Sequence, residues 1–222
     1  MAKRKSVVII GLGRFGSSLA RTLAANGHEV LGIDSDLKRV EDIAEDVTQA
    51  AQADATDEDA LAELGVRSFD IGVVAIGTDI KSSILTTLLL KKLGVGNVIA
   101  KANDYLHAEI LDRIGADSVV FPESDTGVRV AHTLGTPNLV DYMQVMQGYG
   151  IAKIVLPKVF ADKHLEDIDL KGRFGVTPLI LVRGEDLIVN PSRHQDLQER
   201  DVLVISGSDE QMEDLAASMA AG

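Results

Sequence analysis

The 222-residue chain contains no cysteine, so it cannot form a disulfide, a thiolate nucleophile or a cysteine-based metal site. This absence fits a reducing compartment. Basic residues are also scarce, because 22 lysines and arginines stand against 34 aspartates and glutamates, and the net charge is −12. Such an acidic chain argues against sequence-independent binding to nucleic acids and against adsorption to anionic lipid. We therefore expect no nucleic-acid partner, and we attribute the acidity to solubility.

Long hydrophobic runs are missing as well. No apolar run approaches the roughly 20 residues that cross a bilayer. Residues 1–5 include three basic residues, and they precede a short apolar run that stops at Gly11. So short a run indicates a strand rather than a signal peptide. Any action at a membrane would therefore go through a partner. With 45% hydrophobic residues, the chain can still build a buried core.

A glycine-rich segment follows the first apolar run. Residues 5–10 predict a buried strand, residues 17–26 a helix, and residues 29–33 a second strand that ends at Asp34. Between the first strand and the helix stands Gly11-Leu12-Gly13-Arg14-Phe15-Gly16. This is the G-x-G-x-x-G dinucleotide fingerprint in the structural context that it requires.

Each glycine of the fingerprint has a physical role. Gly11 permits the tight turn, Gly13 lets the backbone approach a pyrophosphate, and Gly16 lets helix and strand pack closely. The N–H groups at the start of the helix favour phosphate. Asp34 places a carboxylate near ribose hydroxyls, which makes NADP an unfavourable ligand because NADP carries a 2′-phosphate.

Strand and helix patterns alternate six times within about 120 residues, which predicts an α/β fold with a Rossmann-type doubly wound parallel sheet. The further strands are predicted at 50–53, 69–76, 97–101 and 118–121, and the further helices at 37–47, 57–64, 79–93 and 105–114. We assign residues 1–125 to this nucleotide-binding domain.

The pattern changes after this domain. Residues 125–146 predict a helix that kinks at Gly135-Thr136-Pro137, so residues 126–147 form a connecting helix and dimerisation hinge. Residues 148–222 predict a smaller α+β domain. Its strands are predicted at 149–156, 178–182, 186–189 and 202–206, its helices at 165–173 and 210–220, and a hairpin turn at 183–186.

Several short motifs resemble one family. They are Gly11–Gly16, Ala53-Asp54-Ala55-Thr56, Ala75-Ile76-Gly77, Lys101-Ala102, Ile114-Gly115-Ala116-Asp117 and Pro122-Glu123, followed by 170–176, 182–183, 190–191 and 201–207. Together they resemble the RCK or KTN domains (TrkA-N plus TrkA-C) that regulate potassium conductance. The likeness covers nearly the whole chain. The length and the single copy of each domain are similar to the cytosolic subunit of Ktr-type transporters, and unlike the doubled Trk subunit or a channel fused to its pore.

The resemblance implies a non-enzymatic subunit that binds ATP or ADP and gates a membrane potassium-translocating subunit. It further implies homodimers that assemble into an octameric ring. The location implied is cytoplasmic, peripheral to the cell membrane through the transporter partner.

Two charged residues carry the expected phosphate chemistry. Taken alone, Arg14 in the glycine loop is either a solvated arginine or a phosphate ligand, and the resemblance implies the phosphate contact. Glu123, at the end of the sixth strand, would repel a triphosphate unless a cation lay between them. Taken alone it could equally be an acid favoured near a helix N-terminus. The resemblance implies that Glu123 binds Mg²⁺ or Ca²⁺ together with ATP.

The remaining predicted nucleotide contacts lie at the carboxyl ends of the strands and are Phe15, Ser35, Asp36, Asp54, Ala55, Ile76, Gly77, Thr78, Lys101, Ala102, Asn103 and His107. His107 by itself is more typical of a helix surface. In several Gram-positive members of the family the C-terminal domain binds cyclic di-AMP between subunits. This chain has Lys171 where many of those members carry arginine, so cyclic di-AMP stays an open question for its C-terminal domain. Dimerisation is the better-supported role of that domain.

Two other functions use the same fingerprint. One is an NAD-dependent oxidoreductase, although the chain supplies no convincing proton donor beside a nicotinamide. The other is a sensor of the NADH/NAD⁺ ratio that does not turn over its ligand. Ribose is common to ATP and NAD, so Asp34 does not separate these possibilities.

Overall fold

The computed structural model describes residues 4–220, which divide into two compact units between Glu123 and Ser124. Each unit has its own hydrophobic core. Across the described residues, every helix is too short or too polar to cross a lipid bilayer.

The first unit alternates strands with helices along the chain. Its strands are β1 (Ser6–Ile10), β2 (Glu29–Asp34), β3 (Gln49–Gln52), β4 (Ile71–Val74), β5 (Asn97–Lys101) and β6 (Ser118–Val120). Its helices are α1 (Arg14–Ala25), α2 (Leu37–Glu41), α3 (Glu58–Glu63), α4 (Ile80–Lys92) and α5 (Tyr105–Arg113), and α6 (Pro122–Gly135) begins at its end. The strands pair in parallel in the order β3-β2-β1-β4-β5-β6. This confirms the predicted Rossmann-type doubly wound sheet.

The sheet is buried on both faces because helices cover both sides. Val7 and Ile9 of β1 belong to one core cluster, and Val8 and Ile10 belong to the cluster on the opposite face. The chain leaves β1 toward β2 and later returns to β4 on its other side. In such sheets this reversal of direction opens a crevice at the carboxyl ends of the strands, where ligands bind.

Aspartate side chains start four of the helices. Asp36, Asp57, Asp79 and Asp104 cap α2, α3, α4 and α5, and each carboxylate accepts a backbone N–H of the first turn. This is the strongest type of N-cap, and it ends each strand-to-helix loop at a defined residue. By contrast, α1 begins after Gly13 without any side-chain cap.

The second unit is an antiparallel sheet with short helices. Its strands are β7 (Leu139–Met146), β8 (Tyr149–Val155), β9 (Thr177–Arg183), β10 (Asp186–Val189) and β11 (Val202–Ser208), in the order β10-β9-β11-β8-β7. Its helices are α7 (Leu165–Ile168), α8 (Leu170–Phe174) and α9 (Asp209–Ala220). The sheet and α9 enclose a core that includes Ile154, Leu181, Leu203, Ile205 and Leu215.

The predicted helix–kink–helix over residues 125–146 is wrong in its second half. α6 ends at Gly135, and residues 139–146 form β7, which pairs with β8. A register shift between Leu139 and Asp141 breaks the alternation of β7, so that Leu139 and Tyr142 are both buried. This bulge gives the strand a spacing of three residues, which mimics a helical period.

Two other predicted helices are shorter than expected. α2 ends at Glu41, and the predicted remainder to Val47 forms tight turns with bonds such as Ala44 N–H to the Glu41 carbonyl. The predicted helix 165–173 breaks at Asp169, whose φ of +49° ends α7 and whose side chain caps α8.

Candidate functional site

A groove of about 1260 Å³ lies at the carboxyl edge of the first sheet, and we call it the edge groove. Its lining includes most of the predicted contacts, namely Gly11, Gly13, Arg14, Phe15, Asp34, Ser35, Asp54, Ala55, Ile76, Gly77, Thr78, Lys101, Asn103 and Glu123. Four predicted contacts do not line it, namely Gly16, Asp36, Ala102 and His107. The loops that follow β1 to β5 therefore meet at one place, as parallel strand order requires.

The glycine loop is shaped by backbone contacts. Gly11 has φ +96°, and a Cβ there would lie 3.0 Å from the Ala75 carbonyl carbon. A Cβ on Gly16 would collide with the Gly11 carbonyl oxygen, so Gly16 serves packing and is hidden from the groove. A Cβ on Gly13 would meet nothing within 4 Å. Gly13 thus leaves the uncapped N-terminus of α1 open to an anion.

Asp34 holds the glycine loop in place. Its side chain is 6% exposed; Oδ2 accepts the Leu12 N–H at 2.7 Å and Oδ1 accepts the Asp36 N–H at 2.9 Å. The predicted ribose contact would therefore add to two existing backbone bonds. Arg39 lies 3.4 Å from Asp34 Oδ2 and lines the groove, although sequence reasoning missed it. Nothing in the sequence distinguishes Arg39 from a solvated arginine on α2.

Asp36 and Ala102 support the groove from outside it. The Asp36 side chain accepts the Lys38 N–H and so caps α2. Ala102 is buried, and its N–H donates to the Val120 carbonyl. Both residues fix the backbone of a lining loop without facing the groove.

The loop after β3 is closed on itself. Asp54 Oδ1 accepts the Thr56 N–H at 2.9 Å and the Thr56 hydroxyl at 2.7 Å. These two hydrogen bonds lower the pKa of Asp54. The Thr86 hydroxyl of α4 donates to the Ala55 carbonyl at 3.1 Å, and both groups are buried. Sequence reasoning missed Thr86 because a threonine inside a helix carries no signal of a distant partner.

An ion pair joins β5 to the start of α6. Lys101 Nζ lies 2.5 Å from Glu123 Oε1, where the lysine side chain is 11% exposed and the glutamate 70%. The hydrogen bond from Lys101 lowers the pKa of Glu123, and the charges of Lys101 and Arg14 add to the effect. The glutamate is therefore ionised at neutral pH. In the part of the chain that the structure describes, no group of three or more metal-ligating side chains surrounds it.

Asn103 and His107 link the loops beside this ion pair. The Asn103 side-chain amide donates to the Gly77 carbonyl and so joins the loops after β4 and β5. The structure does not place the predicted contact His107 on the groove, because the residue is 1% exposed and is not part of the lining. His107 shares the inner face of α5 with buried Leu111, one turn later.

Fold and groove define a class of protein: a Rossmann-type nucleotide-binding unit followed by a smaller antiparallel unit. The TrkA-N domain family matches residues 7–122, and the TrkA-C domain family matches residues 151–220. The chain therefore belongs to the family of TrkA-N and TrkA-C domain proteins, which includes the Ktr potassium uptake proteins.

The relatives match along most of their length. Ktr system potassium uptake protein C of Bacillus subtilis (strain 168) is 38% identical over 205 residues, which cover 92% of this chain and 93% of that protein. Ktr system potassium uptake protein A of the same organism is 38% identical over 205 residues, covering 92% of each.

The fold is similar to the GsuK RCK domain, with TM-score 0.66, 20% identity and coverage of 98% of this chain and 48% of that one. It is also similar to the GsuK channel bound to NAD, with TM-score 0.62, 20% identity and coverage of 95% and 38%.

Proposed function

We propose that this chain is a regulatory subunit of potassium uptake that responds to an adenine nucleotide in the edge groove. One observation carries the proposal: the groove unites an uncapped helix N-terminus, Asp34 and the charges of Arg14, Lys101 and Glu123. The relatives support it, since Ktr potassium uptake proteins match over nine-tenths of the chain. The chain would act without catalysis, from the cytoplasmic side, by docking on a membrane potassium-translocating subunit.

The nucleotide proposed is ATP or ADP. These ligands differ by one phosphate, and the basic groups of Arg14 and Lys101 provide the chemistry that distinguishes them. A ligand shifts an equilibrium between two conformations only by its difference in affinity for them. If the chain is to gate a transporter, the ratio of the affinities for its two conformations must therefore differ between ATP and ADP.

NAD(H) is the second candidate. The groove extends along α1 past Ser18 and Thr22, and it exceeds the roughly 300–1,000 Å³ of an ordinary ligand pocket. A dinucleotide would use such length, and the structurally similar GsuK channel has been solved bound to NAD. With NAD(H) as the ligand, the chain would be either a redox sensor or an oxidoreductase.

Calorimetry on the full chain with ATP, ADP, NAD⁺, NADH and cyclic di-AMP tests the proposal. We expect ATP and ADP to bind more tightly than NAD⁺ or NADH, and reduced cofactor to show no turnover. Tighter binding of NADH, or its consumption with a carbonyl substrate, would favour the second candidate. Binding of cyclic di-AMP that does not compete with ATP would support a separate site in the C-terminal domain, where Lys171 is exposed.

Glu123 is the residue proposed to hold Mg²⁺ or Ca²⁺ when ATP is bound. A single carboxylate together with phosphate oxygens is a common way to bind Mg²⁺, so the exposed, ionised Glu123 fits this role. The cation would offset the repulsion between the carboxylate and a triphosphate. Lys101 donates to one oxygen of the carboxylate, and an ammonium group has further N–H donors that could reach a phosphate.

Glu123→Gln is expected to abolish the enhancement of ATP affinity by divalent cations and to change ADP affinity less. The amide keeps the shape but is a weaker ligand for a hard cation. Titrations of ATP with and without Mg²⁺ or Ca²⁺ measure the effect. Glu58→Gln is the matched control, because Glu58 is also paired with a lysine at 2.5 Å but lies outside the edge groove. Metal-independent ATP binding by the unsubstituted protein would refute the assignment.

We also propose that the chain forms homodimers through α6 and the second unit, and that dimers close into an octameric ring. α6 has no buried residue, and Leu134 is 83% exposed. Met143 and Val145 on β7 are more than half exposed and line a groove of about 600 Å³ with Val128. An apolar surface of this kind is typical of an interface. Two different interfaces per subunit allow a closed ring.

Light scattering at micromolar concentration measures the assembly. We expect a dimer or a larger ring, and we expect Met143→Glu with Val145→Glu to yield smaller species that remain folded by circular dichroism. Leu37→Glu is the control, because Leu37 is a half-exposed apolar residue on α2 of the first unit. A monomer with and without ATP would rule out both the ring and a gating mechanism that depends on it.

A further inference from the structure

His107 is a buried histidine next to the edge groove but outside it. The residue is 1% exposed, and Nε2 has no hydrogen-bond partner among the described residues. Burying a polar group without a partner costs free energy that an apolar side chain would not cost. The Nδ1 atom does have a partner, because it accepts the Asn103 N–H at 3.3 Å. A histidine at this position can therefore accept a backbone hydrogen bond, whereas a leucine or a phenylalanine has no acceptor atom.

The bond to Asn103 assigns the state of the ring. A backbone N–H only donates, so Nδ1 must be an unprotonated acceptor, and the proton of the neutral ring lies on Nε2. Burial lowers the pKa of His107, and the charge of Asp104 at the start of α5 opposes this shift only partly. The imidazole is therefore neutral at physiological pH and keeps its acceptor.

Asn103 transmits this contact to the groove. It lines the groove itself, and its side-chain amide donates to the Gly77 carbonyl of the neighbouring loop. Gly77 in turn lies against Lys101, since a Cβ on Gly77 would be 2.7 Å from Lys101 Nζ. His107, Asn103 and Gly77 thus form a continuous series of contacts that ends at the Lys101–Glu123 ion pair.

We infer that His107 is a positioning residue for the nucleotide site. Its neutral Nδ1 fixes the backbone of Asn103, and Asn103 then holds the loops after β4 and β5 at the spacing that a nucleoside phosphate requires. His107 touches no ligand. The inference rests on the proposed function of the edge groove.

Two substitutions separate positioning from packing. His107→Asn keeps an acceptor at the same distance from Cβ as Nδ1 but leaves a cavity. His107→Phe fills the space but has no acceptor. Packing alone predicts that phenylalanine preserves both stability and ATP affinity better than asparagine. Positioning predicts that asparagine preserves ATP affinity although it is the less stable variant.

The test combines ATP calorimetry, thermal unfolding and hydrogen exchange of the Asn103 amide in the ligand-free protein. We expect His107→Phe to weaken ATP binding about tenfold and to speed Asn103 exchange, while His107→Asn stays within about threefold of the unsubstituted protein. Asn103→Ala provides a second route that does not depend on a core substitution. It should weaken ATP binding as His107→Phe does, and combining the two should add little further loss.

The outcomes distinguish the inference from the proposed function. Unchanged ATP affinity and unchanged Asn103 exchange in His107→Phe would overturn the inference alone. Fully additive losses in the double variant would also overturn it, because the two residues would then act independently. Failure of the unsubstituted protein to bind any of the nucleotides would overturn the proposed function and this inference with it.

Discussion

Gly16→Ala is expected to cost about 3 kcal/mol or more of folding free energy and to abolish nucleotide binding. The added methyl group would collide with the Gly11 carbonyl oxygen. Gly11 is itself anchored, because its N–H donates to the Ile33 carbonyl at 2.8 Å. Helix α1 would have to move away from β1 as a whole, and the uncapped N-terminus would leave the groove. Urea unfolding measures the free energy of unfolding, and calorimetry with ATP measures nucleotide binding.

Gly13→Ala is the matched control for this substitution. Gly13 has φ −69°, and its Cβ position is open, so the change in stability should stay within about 0.5 kcal/mol. Because Gly13 lines the groove, the methyl group should still weaken nucleotide binding. If Gly16→Ala unfolded at the same urea concentration as Gly13→Ala, the close packing of Gly16 on Gly11 would not matter for the fold.

Asp34→Ala is expected to destabilise the ligand-free protein by about 3 kcal/mol, in addition to weakening every adenine nucleotide. The carboxylate accepts two backbone N–H groups, the buried one of Leu12 and the partly buried one of Asp36, and both would lose this partner. Asp34→Asn should cost nearly as much. Its amide NH₂ cannot accept a hydrogen bond, so one of the two N–H groups would face another donor.

Asp36→Ala is the control for the loss of an aspartate near the same loop. Its side chain caps α2 from the surface, so its removal should cost only about 1 kcal/mol. Chemical unfolding of the three variants without nucleotide gives the comparison. Equal stabilities of Asp34→Ala and Asp36→Ala would contradict the role of Asp34 in holding the glycine loop.

The first unit could be predicted from its sequence because local signals agree with the tertiary structure. Most of the predicted strands are rich in apolar residues, and Asp57, Asp79 and Asp104 mark helix starts that the structure confirms. Glycines mark the turns. The groove residues follow from this alternation, because parallel strand order brings the loops after successive strands to one edge.

The errors arose where contacts distant in sequence decide the outcome. The bulge that turns both Leu139 and Tyr142 inward is set by pairing with β8, so the sequence of β7 has an apparent helical period. The position of His107 after β5 predicts a place at the groove, but the packing of α5 turns the residue inward. The partner of Thr86, the Ala55 carbonyl, lies 31 residues away, and no local pattern predicts it.

The aspartate caps of the first unit also determine where an anion can settle. Five helices, α1 to α5, begin at the carboxyl edge of one parallel sheet, and each could attract phosphate through its exposed N–H groups. At α2 to α5 a carboxylate already accepts at least one of those N–H groups, and its charge opposes a second anion. At α1 it does not, since Gly13 has no side chain. The aspartate caps thus disfavour phosphate at four helix starts, and among α1 to α5 they leave the N-terminus of α1 to the phosphates of the proposed nucleotide.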